Sequence, residues 1–535
     1  MGAGTAVRRR TLLAAAGASV AGCHAASSQL EGGWVGASHE RGHRLRDTMP
    51  SATATPSQWR RASVIVVGGG IAGLAAARAL ASLGIDDVHL LELEEEPGGN
   101  SRGHVMVGIR CPLGAHYLPL PGPHAHEVAQ LLHEFGLARV EAGRVVYDER
   151  HLCHSPQERL FVDGAWVEGL LPPAAAGSRR EGQYRRFSKA VDDAMAHRAF
   201  AMPTRRAAWT PAHAALDAQP FARWLAVQGF DDDRLLWYLD YCCRDDYGAG
   251  VGVVSAWAGL HYFASRHGFH PHLDDDNERE PVLTWPEGNA WLARRLAQPL
   301  AGRLHAGRTV LRVSEERHAV RVLAWDSRSQ RLEAWQAAQV IIATPLFVAA
   351  RLLDTPLPAL AEAVRLQRHA PWLVANLRLD GPLVDRPSGA PPSWDNVIHG
   401  GDARSLGYVD AMHQSPLPHL GPTVLSVYWT LPAAERRALL DTPWQMWAQR
   451  VIADLARVHP DLPAKVRRAD LMRHGHAMSI PSPGVRGSAA LQALASRDEG
   501  RVRFAHADLA GYSVFEEAYT VGVMAGSRAA RSLRG

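Results

Sequence analysis

Residues 63–103 constrain this chain more than any other stretch. An apolar run at 64–67 stops on three glycines, Gly68-Gly69-Gly70, and small residues with helical spacing follow over 71–83. A second apolar run, 88–91, ends on Glu92. Strand, glycine turn, helix, strand and acid make a βαβ unit whose glycines are spaced G-x-G-x-x-G. Each glycine has its own reason. Gly68 lets the strand turn tightly, Gly70 lets a pyrophosphate approach the backbone, and Gly73 lets the helix pack close on the strand. Ile71 and Ala72 open the helix, where free N–H groups and the positive dipole end favour phosphate. Glu92 stands 24 positions after Gly68, where an acid accepts ribose hydroxyls. The competing reading is a glycine-rich turn in an ordinary βαβ unit. Both strands and the acid fall in register, which favours a bound dinucleotide. The fingerprint alone does not separate NAD from FAD.

At 535 residues the chain is too long for one compact core, so two intertwined domains are expected. A net charge of +4 is small for this length, and no dense basic block interleaves with aromatics, so nucleic acid is not an expected partner. The basic residues are nearly all arginine; Lys189 and Lys465 are the exceptions. None of the five cysteines forms CxxC, which argues against a zinc knuckle or a redox pair. Cys242 and Cys243 read as core thiols, because adjacent cysteines strain bridge geometry.

The first 23 residues read as an export signal. Arg8-Arg9-Arg10 precede a short apolar stretch over 12–22, too short to span a bilayer. The paired arginines before Thr11-Leu12-Leu13 resemble a twin-arginine signal. Val20-Ala21-Gly22-Cys23 resembles a bacterial lipobox, which implies a lipid anchor through Cys23. The expected location is therefore periplasmic or cell-envelope. Residues 24–60 show no apolar period and read as a flexible tether.

Further elements follow in a telling order: Gly98-Gly99-Asn100-Ser101-Arg102, then Gly114-Ala115, Trp285-Pro286-Glu287-Gly288, the strand with Val310, the run 340–345 with Ala343, and the segment 504–526 with Asp508, Glu516-Glu517-Ala518 and Gly522. This series resembles the flavin-dependent family of amine oxidases, phytoene desaturases and protoporphyrinogen oxidases. The resemblance implies FAD. It implies that Gly98, Gly99, Gly114 and Ala115 line the flavin and that Val310 holds the adenine by its backbone. It implies that Asp508 reaches the ribityl chain or pyrophosphate, and that the backbone at Glu517 and Ala518 faces the flavin ring. Asn100 stands where the family keeps Arg, with Arg102 as the nearby source of charge. The implied fold is α/β: a Rossmann-like FAD domain from 61–120, 281–350 and 485–535, with an α+β substrate domain from 121–280 and 351–484 inserted.

The substrate segments are less specific. Aromatics crowd 224–263 and read as a helical core or the wall of an apolar tunnel. Asp245-Asp246-Tyr247-Gly248 breaks an apolar helix and reads as a cap or as a substrate-facing turn. His267, His270 and His272 beside Asp274, Asp275 and Asp276 read as a solvated loop, not a metal site. His116, His476 and Tyr512 are the candidates for groups beside the flavin ring. Amine oxidases of the family carry a Lys near the strand at 371–377; this chain has none between Lys189 and Lys465, which argues against ordinary amine oxidation. The reading is an FAD oxidoreductase taking a hydride from a small amine or polyene-like donor, with oxygen, a quinone or a redox protein as acceptor. The alternative is a flavin-binding envelope factor without turnover.

Overall fold

The computed structural model describes residues 1, 30–47, 59–196, 200–266, 268–271, 281–384, 389–415 and 421–534. Arg9, Arg10 and Cys23 lie outside these residues, as do His267, His272 and the acidic run beside them.

The fingerprint forms the centre of a nucleotide-binding sheet. Strand Trp59–Val67 lies between Val88–Leu91 and Arg331–Ile342, parallel to both. Val64, Ile65 and Val66 have no exposed surface, as a strand covered on both faces requires. The sheet continues through the hairpin strands Val320–Asp326 and Arg308–Glu315, and Val502–Phe504 adds to Arg331–Ile342. Three distant stretches of sequence thus share one sheet.

Helix Ile71–Ser82 follows the glycine turn and packs on the last helix, Phe515–Arg534. Small residues set that contact. A Cβ on Gly522 would fall 2.2 Å from the Ala72 carbonyl oxygen, and one on Gly526 would fall 2.5 Å from that of Ala76. The alanine-rich face lets the two backbones approach and brings the chain's end to the fingerprint.

The second domain is built on an eight-stranded sheet that includes Val466–Ile480, Arg368–Leu379 and Thr423–Thr430. Helices from Arg179–Ala196 to Ala256–Ala264 cover it. The dense aromatics form the core there: Phe187 meets Phe221, Phe230, Phe263 and Phe269.

Of the tether read over 24–60, the part at 31–47 is corrected. Glu31–Trp34 pairs in parallel with Arg468 to Leu471 at the sheet edge, and His39–Asp47 is helical. Gly32 (φ +141°) sits where a Cβ would be 1.8 Å from the Ala469 carbonyl oxygen. An edge strand this short has no room for an apolar period, which is why it escapes a pattern search.

Candidate active site

A cavity of about 400 Å³ opens between the glycine turn and the second domain's sheet. Its floor is backbone. Gly68 takes φ +103° against the Ala343 carbonyl, and a Cβ on Gly73 would fall 1.9 Å from the Gly68 oxygen, so both positions need glycine. Gly70 differs: the nearest atom to its missing Cβ is Gly99 Cα at 3.9 Å. The space is open on the cavity side, at the first turn of helix Ile71–Ser82.

Glu92 is buried at the rim of this turn. Its Oε2 accepts from Gly69 N at 2.5 Å and its Oε1 from Glu94 N at 2.8 Å. Burial raises its pKa, and these two N–H donors oppose the rise. Arg102 is off the cavity wall, yet its Nη1 is buried without a partner. A glycine-lined helix terminus, a buried acid beside it and an unsatisfied guanidinium nitrogen fit a dinucleotide.

Asn100 has a different task from the arginine that the family keeps. Its carbonyl accepts from Ala115 N at 2.9 Å and lies 2.2 Å from where a Gly114 Cβ would be. Its Nδ2 donates to the Ala477 carbonyl at 2.6 Å. Through its backbone carbonyl and its side chain, this one residue therefore ties Gly114-Ala115 and the crossing strand Val466–Ile480 to Gly98-Gly99. Ala343 and Ala518 also line the cavity.

Four expected contacts fall elsewhere. Val310 is packed in the core with Ile65, Val67 and Ile342, away from the wall. Asp508 lies beneath the wall: Oδ2 accepts from Leu346 N at 2.9 Å, and Oδ1 sits 3.1 Å from His369 Nε2. Burial alone would raise its carboxyl, but His506 and His369 hold it well below the usual range. It thus orients His369 and His506, which do reach the cavity. Tyr512 has no exposed surface and donates to Glu517 Oε1 at 3.1 Å. Glu517 also accepts from Thr204 N at 2.6 Å, so both are interior. Successive helical residues point about 100° apart, and Glu516, not Glu517, takes the cavity face.

His116 and His476 do line the cavity. His116 stacks on Tyr428 with ring centroids 4.3 Å apart, and burial lowers its pKa to about 3. His476 lies 4.5 Å from the Phe347 ring, and burial lowers it to about 4. Both rings are neutral near pH 7.

Sequence reasoning offered Asp245 and Asp246 as a cap or a substrate-facing turn but missed that Arg266 and Glu516 join them. Helix Asp233–Tyr247 ends at Gly248, in the left-handed conformation, and delivers Asp245 and Asp246 to the wall. Arg266 Nη1 donates to Asp246 Oδ1 at 2.8 Å. Asp245 and Glu516 are each pushed up to about 7, chiefly by burial. Trp372, Tyr428 and Tyr117 supply aromatic surface. Three carboxyl groups share one guanidinium. Strand Arg368–Leu379, which holds no lysine, contributes His369, Trp372 and Val374 to the wall.

Residues 71–533 match the flavin containing amine oxidoreductase family, and residues 2–104 match the pyridine nucleotide-disulphide oxidoreductase family. The fold is shared with solved structures. Putrescine oxidase bound to putrescine is 19% identical over 89% of this chain and 100% of its own, with a TM-score of 0.65. Cyclohexylamine oxidase from Brevibacterium oxydans is 18% identical at the same coverage, with a TM-score of 0.65. A fatty acid isomerase from P. acnes is 15% identical over 87% and 98%, with a TM-score of 0.59. The first match runs from the helix after the glycine turn, through the Asn100 hub, to the last helix, and it makes the cofactor FAD and the chain an FAD-dependent oxidoreductase. The chain belongs to the family of flavin containing amine oxidoreductases.

Proposed function

We propose that this chain oxidises an amine. The observation that carries the reading is the buried anionic chamber: Asp245, Asp246 and Glu516 around Arg266, walled by Trp372, Tyr117 and Tyr428. A substrate ammonium would supply the positive charge that this group lacks, and aromatic faces favour a cation. A purely apolar polyene would leave the carboxyl groups buried without compensation.

When bound, FAD would supply a two-electron acceptor for a hydride from the substrate carbon. The chain's own residues prepare the amine. Asp245 and Glu516, raised to about 7, are matched to accept the ammonium proton near neutral pH. Neutral His116, stacked on Tyr428, fills the wall without repelling a cation. The missing lysine is consistent with proton removal by carboxylates. Trp372 Nε1, buried without a partner, offers a donor at the same wall.

Anaerobic mixing with amines, amino acids and polyenes tests the proposal. Amines should bleach the flavin absorbance. Bleaching by polyenes with none by any amine would overturn it. Reoxidation by oxygen, a quinone or a redox protein would then identify the acceptor.

Export through the twin-arginine route, with anchoring at Cys23, belongs to the same proposal. It is supported by Arg9-Arg10 and by the lipobox-like run ending at Cys23. Changing both arginines to lysine should hold the protein in the cytoplasm; undiminished export would refute the route.

A further inference from the structure

Residues 31–47 are joined to both domains at once. Glu31–Trp34 completes the substrate-side sheet, and the Arg473 guanidinium lies 4.5 Å over the Trp34 ring. Helix His39–Asp47 crosses to the nucleotide domain. Leu45 packs against that domain's core, and Arg44 lies 5.2 Å over the Trp325 ring.

At the crossing, two groups converge on one buried carboxylate. Ser38 N donates to Glu94 Oε1 at 2.9 Å, and Arg41 Nη1 donates to Glu94 Oε2 at 3.0 Å. Arg41 Nη2 also meets Glu95. Glu94 in turn donates its own N–H to Glu92 Oε1 at 2.8 Å, and Glu92 Oε2 accepts from Gly69 N. An unbroken run of hydrogen bonds thus leads from the strap to the glycine turn. Glu92 and Glu94 are both only 7% exposed, so two like charges are buried side by side. Such a pair stays in place only where cations and N–H donors hold it. Arg41 is the cation that the strap brings.

We propose that Arg41 and Ser38 are positioning residues of the FAD site, clasping the loop 92–95 so that Glu92 stays aimed at the cofactor ribose. This inference rests on the cofactor alone and is independent of the substrate reading. It makes cofactor retention depend on residues 31–47, which precede the glycine fingerprint in sequence.

The test uses the full chain with Arg41→Ala, Arg41→Lys, Glu94→Gln and the double variant Arg41→Ala/Glu94→Gln. FAD affinity is measured by titration of flavin fluorescence, and the melting temperature is measured with and without FAD. Arg41→Ala should weaken FAD by about tenfold, the loss of one charge-assisted hydrogen bond acting at the site. The flavin-free melting temperature should change little, while the rise produced by FAD shrinks. Arg41→Lys should recover part of the affinity, and the double variant should bind better than Arg41→Ala, because the unpaired buried charge is gone. Unchanged affinity in Arg41→Ala would overturn the proposal. So would a fall in the flavin-free melting temperature that accounts for the whole loss, since that is the mark of a merely structural clasp.

Discussion

Asp246 and Arg266 face each other at 2.8 Å with side chains only 4% and 8% exposed, and each keeps an unsatisfied atom. Asp246 Oδ2 and Arg266 Nε are buried without partners. The pair is neutralised but not saturated, which suits a wall that meets a polar ligand. Removing one partner leaves the other as an uncompensated buried charge. Asp246→Ala should therefore lower unfolding free energy by about 3 kcal/mol in urea titrations. Oxidation of amines by the surviving folded enzyme should show a raised KM. An unchanged urea midpoint would contradict the burial of Arg266.

The two glycines that look alike in sequence should behave differently. Gly70→Val adds atoms to open space, so the apoprotein should melt normally while FAD affinity falls by about tenfold or more. Gly73→Ala drives a Cβ into the Gly68 carbonyl and should destabilise the apoprotein by about 1–3 kcal/mol. Calorimetry and flavin titration on both variants separate the effects. Full flavin retention in Gly70→Val would displace the pyrophosphate from this turn.

Stability should carry opposite pH signatures from opposite carboxyls. Asp245 and Glu516 have folded pKa values raised to about 7, so between about pH 4.5 and 7 the native state binds protons that the unfolded state has lost. Their contribution to stability falls as pH rises through this window and levels off above it. Asp508 is lowered, so its contribution is present above about pH 4 and is lost as pH falls. Urea midpoints measured against pH should show the first slope flatten in Asp245→Asn/Glu516→Gln. A midpoint difference between wild type and that variant that stays constant from pH 5 to 7 would refute the assignment.

Asn100→Ala keeps the carbonyl that holds Ala115 but removes the bond to Ala477. It should cost about 1 kcal/mol of stability and speed flavin dissociation. Stopped dilution into apoprotein-free buffer, followed by flavin fluorescence, reads the rate. An unaltered rate would confine Asn100 to a local turn.

The nucleotide half of the site was legible because it is local. Turn, helix start and acid fall within 68–92, and each follows from glycine freedom, helix polarity and strand burial. The ordering of Gly98, Gly114, Ala343 and Ala518 behind it carries the family resemblance that implies FAD. Glu517 was misplaced because adjacent positions on a helix point in different directions, and Tyr512, in the loop before helix Phe515–Arg534, because only packing decides which loop side chain is buried. The edge strand Glu31–Trp34 was missed because four residues carry no period.

What the sequence determined by itself was the nucleotide cradle, since the glycine turn and helix start are backbone whose conformation nearby residues dictate. What only the tertiary structure decided was the chamber's charge. Asp245, Arg266 and Glu516 come from separate elements. They interact because folding removes them together from water, where the same charges would be screened and silent.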